Sequence, residues 1–152
     1  MITANVAVDA MRNHEWVQEL PRRHIETLAE LAEEKHFEAG EVLYRQGDFS
    51  DRLYMIVSGT VGLTLSWRAH VVAMGETVIA GEEFGWCALI KESVRRFTAK
   101  TMTPVEALVF NGSELRAECN RNPQFGLVLL RRLLSVVSDR LDARRLQLLT
   151  RF

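Results

Sequence analysis

Apolar and polar positions along the chain fall into three regimes. From Leu20 to about Glu34 the spacing is helical: Pro21 suits a first helical turn, and Ile25, Leu28, Ala29, Leu31 and Ala32 share one side. From about residue 36 to 110 the period shortens. Segments 42–44, 53–57, 60–66, 71–74, 77–80, 97–102 and 105–110 read as strands, with Gln46-Gly47-Asp48 and Ser58-Gly59 as turns between them. From about 112 to 150 the helical period returns. Ser113 can cap a short helix through Glu118, and Asn122-Pro123 opens a long one of roughly 25 residues. The pattern predicts an α+β class, mainly β: an antiparallel β-roll or jelly roll with an N-terminal helix and a long C-terminal helix. Residues 1–152 are expected to form one domain, helical to about 35, a roll over about 36–110 and helical over about 112–150.

The long helix carries a second signal. Leu127, Leu130, Leu134, Val137, Leu141 and Leu148 recur at three- and four-residue steps, with Arg144 interrupting, which is nearly a heptad seam. That face either packs on the roll or joins a second copy, and a homodimer through residues 123–150 is the expectation, because the helix is apolar on more than one side. A protein partner is also compatible with it. Residues 121–152 hold seven Arg against Asp139 and Asp142, which reads as a solvated helix face rather than a nucleic-acid patch.

Composition narrows the class. Apolar residues are 47%, charged residues 26%, and net charge is −1, so bulk charge recruits neither nucleic acid nor membrane. No window approaches 18 consecutive apolar residues, and residues 1–10 lack the basic and apolar regions of a signal peptide. Cys87 and Cys119 form neither a disulfide framework nor a CxxC, so a reduced, cytoplasmic protein is expected.

One stretch breaks the strand pattern. Phe84-Gly85-Trp86-Cys87-Ala88-Leu89-Ile90, followed by Arg95-Arg96-Phe97-Thr98-Ala99, has the parts of a phosphate-binding cassette. Gly85 permits close backbone approach, and the N–H groups from Gly85 to Ala88 face an anion at the start of a short helix. Ala88-Leu89-Ile90 gives that helix an apolar anchor. Arg95 or Arg96 supplies the charge, with Thr98 nearby. Candidate ligand contacts are therefore Phe84, Gly85, Trp86, Cys87, Ala88, Leu89, Arg95, Arg96, Phe97 and Thr98. Trp86 cannot hydrogen-bond a sugar hydroxyl as a carboxylate would. Glu82 and Glu83 precede the cassette and offer carboxylates nearby.

The order helix, roll, cassette, long helix resembles the cyclic nucleotide-binding domain family. The run from Phe37-Glu38-Ala39-Gly40 to Gln46-Gly47-Asp48, then Asp51-Arg52-Leu53 to Ser58-Gly59-Thr60-Val61, carries that family's glycine turns and its apolar strand. The resemblance implies a regulatory domain with no enzymatic activity, binding cAMP or cGMP and signalling through its last helix, and requiring no other cofactor. Gly85, Ala88 and Leu89 match the family cassette. Trp86 stands where the family has the glutamate that holds the ribose 2′-hydroxyl. Val94 stands where many members have proline, and Phe97 where a small residue is usual. Family members cap the base from the long helix, which points to Arg140, Arg144 or Arg145. The family's transcription factors add a helix-turn-helix; with the chain stopping at Phe152, no DNA binding by this chain alone is expected. A member that has lost its nucleotide, with Trp86 and Phe97 filling the pocket, is the other reading.

Catalysis and metal binding find no support. His14, His24, His36 and His70 form no H-x-H or i,i+4 pair, and no nucleophile triad or carboxylate pair stands out. Cys87 reads as a small buried hydrophobe, Cys119 as packing at a helix end, and Trp67 as a packing residue at a hairpin.

Overall fold

A computed structural model describes residues 4–68, 70–90 and 93–150. The predicted class holds. Among the described residues, eight strands form two four-stranded antiparallel sheets with helices at both ends. Strands β1 (Ala32–Phe37), β8 (Val105–Asn111), β3 (Arg52–Ser58) and β6 (Glu83–Phe84) make one sheet, in that order. Strands β2 (Val42–Tyr44), β7 (Thr98–Thr101), β4 (Thr60–Trp67) and β5 (His70–Ile79) make the other.

Between the sheets lie Tyr54, Ile56, Val61, Leu63, Val78, Phe84, Ala99 and Val109, an alternating set drawn from both inner faces. The outer side of the first sheet is covered by helices. Leu53, Met55, Leu108 and Phe110 point there and meet Ile25, Leu28, Leu115, Phe125 and Leu129. The continuous apolar run of β3 thus reflects burial on both faces.

The N-terminal zone departs from expectation. Two short helices, α1 (Ala4–Met11) and α2 (Glu15–Gln18), precede α3 (Arg22–Leu31). Helix α3 stops at Leu31, and Ala32, read as helical, begins β1 instead. The Glu33-Glu34-Lys35 run has poor strand propensity, but pairing of Ala32–Phe37 with β8 overrides it, and the charges suit an edge strand. Segments 71–74 and 77–80 are one strand, β5, interrupted by a bulge at Gly75: Glu76 opposes Leu63, and Met74 opposes Thr64. His14 is fully buried between α1 and the roll, and neither ring nitrogen has a hydrogen-bond partner. Burial lowers its pKa below the ordinary 6.5, against a weaker upward pull from the carbonyls of Ala10, Glu82 and Ile56.

After β8, Asn111 rather than Ser113 caps α4 (Gly112–Arg121); its side-chain oxygen accepts from Glu114 N–H at 3.0 Å. Asn122 caps α5 (Pro123–Leu149) in the same way, with Pro123 in the first turn as the sequence implied. Helix α5 buries Phe125, Gly126, Leu129 and Leu133. A Cβ at Gly126 would lie 2.9 Å from Cys119 Cβ, so α4 and α5 touch there backbone to backbone. Burial raises the Cys119 thiol pKa. The seam residues Leu127, Leu130, Leu134, Val137, Leu141 and Leu148 face away from the roll and are all exposed. Trp67 is exposed too, at 66%, with the Arg68 guanidinium near its ring; it is not the packing residue expected, because the β4–β5 hairpin tip projects beyond both core layers.

Candidate ligand pocket

The cassette opens at the end of β6. Phe84 is buried and stacks on Tyr54, with ring centroids 4.7 Å apart. Gly85 then turns with φ of 87°, in the left-handed region. A Cβ there would sit 2.7 Å from Arg52 O and 2.9 Å from Arg95 Nη1, so glycine is required both for the turn and for the arginine beneath it. Trp86–Leu89 forms a single 3₁₀ turn. Ala88 N–H donates to Gly85 O within that turn, which removes it from the set of amides expected to meet an anion. Ala88 is fully buried, and its carbonyl accepts from Arg116 Nη1 of α4 at 2.5 Å. Gly112, the first residue of α4, clears the same carbonyl only because it lacks a Cβ, which would lie 2.5 Å away. Leu89 is half-buried against the helical core; Ile90 is exposed.

The two arginines separate. Arg96 is exposed, whereas Arg95 is 4% exposed and lies inside. The Arg95 backbone is pinned by Arg95 N–H to Asp48 O and Gly47 N–H to Arg95 O, both 2.8 Å. Its Nη2 donates to Arg52 O at 2.5 Å, and its guanidinium lies 4.0 Å from the Tyr44 ring centroid. Its Nε has no hydrogen-bond partner, and no carboxylate among the described residues pairs with it. Burial pushes the Tyr44 phenol up to about 12, opposed by Arg95 and assisted by Tyr54, Cys87 and Glu76. Tyr44 lies opposite Ala99, Ala99 opposite Leu63, and Leu63 opposite Glu76, so these residues form one row across the second sheet. Thr98 turns elsewhere: its hydroxyl accepts from Gln46 N–H and ties β7 to the loop after β2. Phe97 packs its ring against Gly75, where a Cβ would lie 3.0 Å from it.

Trp86 is half-buried and borders the helical core. The Arg140 guanidinium of α5 lies 5.7 Å from its ring centroid. The same guanidinium donates to Glu83 O at 2.7 Å and to Glu83 Oε1 at 2.8 Å, with Glu82 Oε2 at 3.9 Å. Glu83 is buried and committed to that pair; Glu82 accepts from Ile79 N–H. Neither thus replaces the missing cassette acid. One turn along α5, Arg144 Nη2 pairs with Glu76 Oε2 at 2.7 Å. Leu63, Gly75, Glu76, Phe97 and Arg144 line an open groove of about 250 Å³. Arg145 pairs only loosely, with Asp142, and does not reach the pocket. Tyr44 and Glu76 were not singled out from sequence. The break at Gly75 hid the alternation that places Glu76 and Val78 on the same inward face.

The cyclic nucleotide-binding domain family model matches residues 34–122, more than half of the chain. The chain belongs to the cyclic nucleotide-binding domain family. The domain is 32% identical over 75 residues to the cAMP-dependent protein kinase regulatory subunit of Schizosaccharomyces pombe, a match covering 49% of this chain and 17% of that protein. The domain spans under a quarter of the length of the curated relatives it matches. Among solved structures, the N-terminal domain of a transcriptional regulator from Streptomyces coelicolor superposes with a TM-score of 0.72 at 25% identity, covering 89% of this chain and 96% of that one. A cyclic nucleotide-binding domain from Methylobacillus flagellatus reaches 0.81 at 17% identity, covering 98% and 84% respectively, which speaks for the fold alone. No helix among the described residues is long and apolar enough to cross a membrane, and no cluster of three or more His, Cys, Asp or Glu there could hold a metal.

Proposed function

We propose that this domain is a regulatory sensor of the cytoplasm, with no catalytic role, that binds a cyclic nucleotide or a similar small anion in the roll and signals through α5. One observation carries the reading. The Arg95 guanidinium is buried beneath Gly85 with an unpartnered Nε and no carboxylate. A buried charge left in that state is costly, and an arriving phosphate would meet it with two charge-assisted bonds in the fork geometry. Phe97 and Arg144 line the groove beside Glu76, and Arg140 reaches from α5 to Glu83 at the start of the cassette. Loss of the cassette carboxylate weakens binding by about ten- to a hundredfold, since one charge-assisted bond is worth about 1.5–3 kcal/mol.

The exposed stripe on α5 supports a homodimer through that helix. A second reading, an interaction module without a nucleotide, draws on Trp86: the Arg140 guanidinium of α5 lies near its ring and pairs with Glu83, which ties α5 to the cassette through the chain's own side chains. Isothermal titration with cAMP and cGMP up to millimolar concentration decides between them. Saturable binding that is abolished by Arg95→Ala establishes the sensor; no heat and no ligand-induced rise in Tm overturns cyclic nucleotide binding and favours the interaction module.

A further inference from the structure

Two serine hydroxyls on the outer side of the cassette lack the partners their burial calls for. Ser50 and Ser93 are the next pair along from the bridge between Phe49 and Val94, with Ser50 N–H donating to Ser93 O at 3.0 Å. Ser50 is 7% exposed, and neither Oγ has a hydrogen-bond partner. Buried polar groups in that state are few and need a reason. Both residues line an open groove of about 340 Å³ that reaches from this bridge to the first turn of α4. Small-ligand sites run from about 300 to 1,000 Å³, so the groove is large enough for one.

The α4 end of the groove adds donors. Arg116 lies there, half-buried, with Nη1 fixed on Ala88 O. Among the described residues no carboxylate pairs with it, so Nη2 and Nε are left open. Gly112 N–H donates to Asp51 O and Glu114 N–H to Asn111 Oδ1, which leaves Ser113 N–H between them without a protein partner. It belongs to the first turn of a ten-residue helix, where free N–H groups and the helix dipole favour an anion. Asp51 borders the groove as well, on the side shared with the neighbouring groove at Tyr54, and does not pair with Arg116. Phe49 supplies an apolar wall, and at 77% exposure its ring is nearly bare.

The geometry points to a second ligand site in this groove, one that takes an aromatic phosphomonoester. It is separate from Arg95 and does not rest on the sensor reading. Arg116 takes the phosphate through its open nitrogens; its anchor on Ala88 O has already fixed the guanidinium, so little freedom is lost on binding. Ser113 N–H and the hydroxyls of Ser50 and Ser93, each re-aimed by a turn about χ1, donate to the remaining oxygens. The aromatic ring lies against Phe49 and covers it. A bare oxyanion leaves that wall in water, and a ring without phosphate leaves Arg116 unmet.

The probe is phenyl phosphate, and the test is differential scanning calorimetry of the full chain carrying Arg95→Met, where the cassette arginine cannot answer. Phenyl phosphate at about ten times its Kd should raise Tm by about 3–6 °C. Free phosphate at the same concentration should give about 1 °C or less, since it lacks a ring contact worth about tenfold. Arg116→Gln and Ser50→Ala, each added to that background, should at least halve the phenyl phosphate shift. Ser50→Ala removes an unpaired hydroxyl, so that variant folds whatever the ligand does. Phe49→Ser, at an exposed position, should bring phenyl phosphate down to the level of free phosphate. In the wild-type chain the Ser113 amide resonance should move as phenyl phosphate is added, and stay fixed in Arg116→Gln. No rise with phenyl phosphate, an equal rise with free phosphate, or a rise that survives both Arg116→Gln and Ser50→Ala would each overturn the inference. If wild type binds no cyclic nucleotide while phenyl phosphate behaves as expected, the sensor reading falls and this one stands.

Discussion

Replacing Arg95 by Met separates a ligand-binding arginine from a structural one. The backbone at 95 is held by its own two hydrogen bonds, so the substitution acts on the side chain alone. Three terms set the result in the unliganded protein. Met loses one charge-assisted bond to Arg52 O, worth about 1.5–3 kcal/mol, and a cation–π contact with Tyr44 of about 2 kcal/mol. It relieves the desolvation of a buried, carboxylate-free guanidinium, which is several kcal/mol. It also fills the same space against Tyr44, where sulfur–aromatic contact returns up to about 1.5 kcal/mol. The expected net is between zero and about 2 kcal/mol of added stability, or a Tm rise of up to about 8 °C for a chain of this size. Differential scanning calorimetry without ligand measures it. Added phosphate should raise the Tm of wild type and leave Arg95→Met unmoved. A drop of more than about 8 °C in the variant, with unfolding still cooperative, would show that Arg95 braces the roll and is no anion site.

Three other outcomes are expected. Trp86→Glu, which restores the family's acid, should tighten cyclic nucleotide binding by about ten- to a hundredfold in the same titration. Glutamate at both Leu134 and Leu141, which are exposed on α5, should shift sedimentation from dimer to monomer while leaving the far-ultraviolet circular dichroism unchanged. His14 is held neutral by burial, so below about pH 6.5 the unfolded chain binds a proton that the native state refuses. Tm should therefore fall as pH drops from about 7.5 to 5.5, and His14→Leu should flatten that slope.

Where the sequence was legible, the signal was local. The turns at Gly40, Gly47, Gly59 and Gly85 each take positive φ, and Asn122-Pro123 is a cap complete within two residues. Strand β1 was hidden because Glu33-Glu34-Lys35 becomes extended only through β8, about seventy residues away. Ser113 and Asn111 are both good caps by type, and only the path of β8 selects Asn111. The choice between Arg95 and Arg96 likewise needed the backbone. The chain bends at Arg96, and the contacts of the Arg95 backbone with Asp48 and Gly47 decide which one turns in. Trp86 could be read as a departure from the family; its engagement by Arg140, 54 positions later, could not.

The contact between Gly112 and Ala88 has a mechanical consequence. On the sensor reading, a cassette displaced by ligand would press on the first residue of α4, which has no slack there, and any turn of α4 would be delivered to Asn122. Helix α5 is 27 residues long, a lever of about 40 Å. Tilting it by about 5° moves its far end by about 3.5 Å, and moves Arg140, about 26 Å along, by roughly 2 Å. The bonds from Arg140 to Glu83 are 2.7 and 2.8 Å long, so such a stroke parts them. The domain would then respond as a trigger does: cassette shifts too small to break the Glu83 grip are absorbed, and larger ones release the whole arm at once.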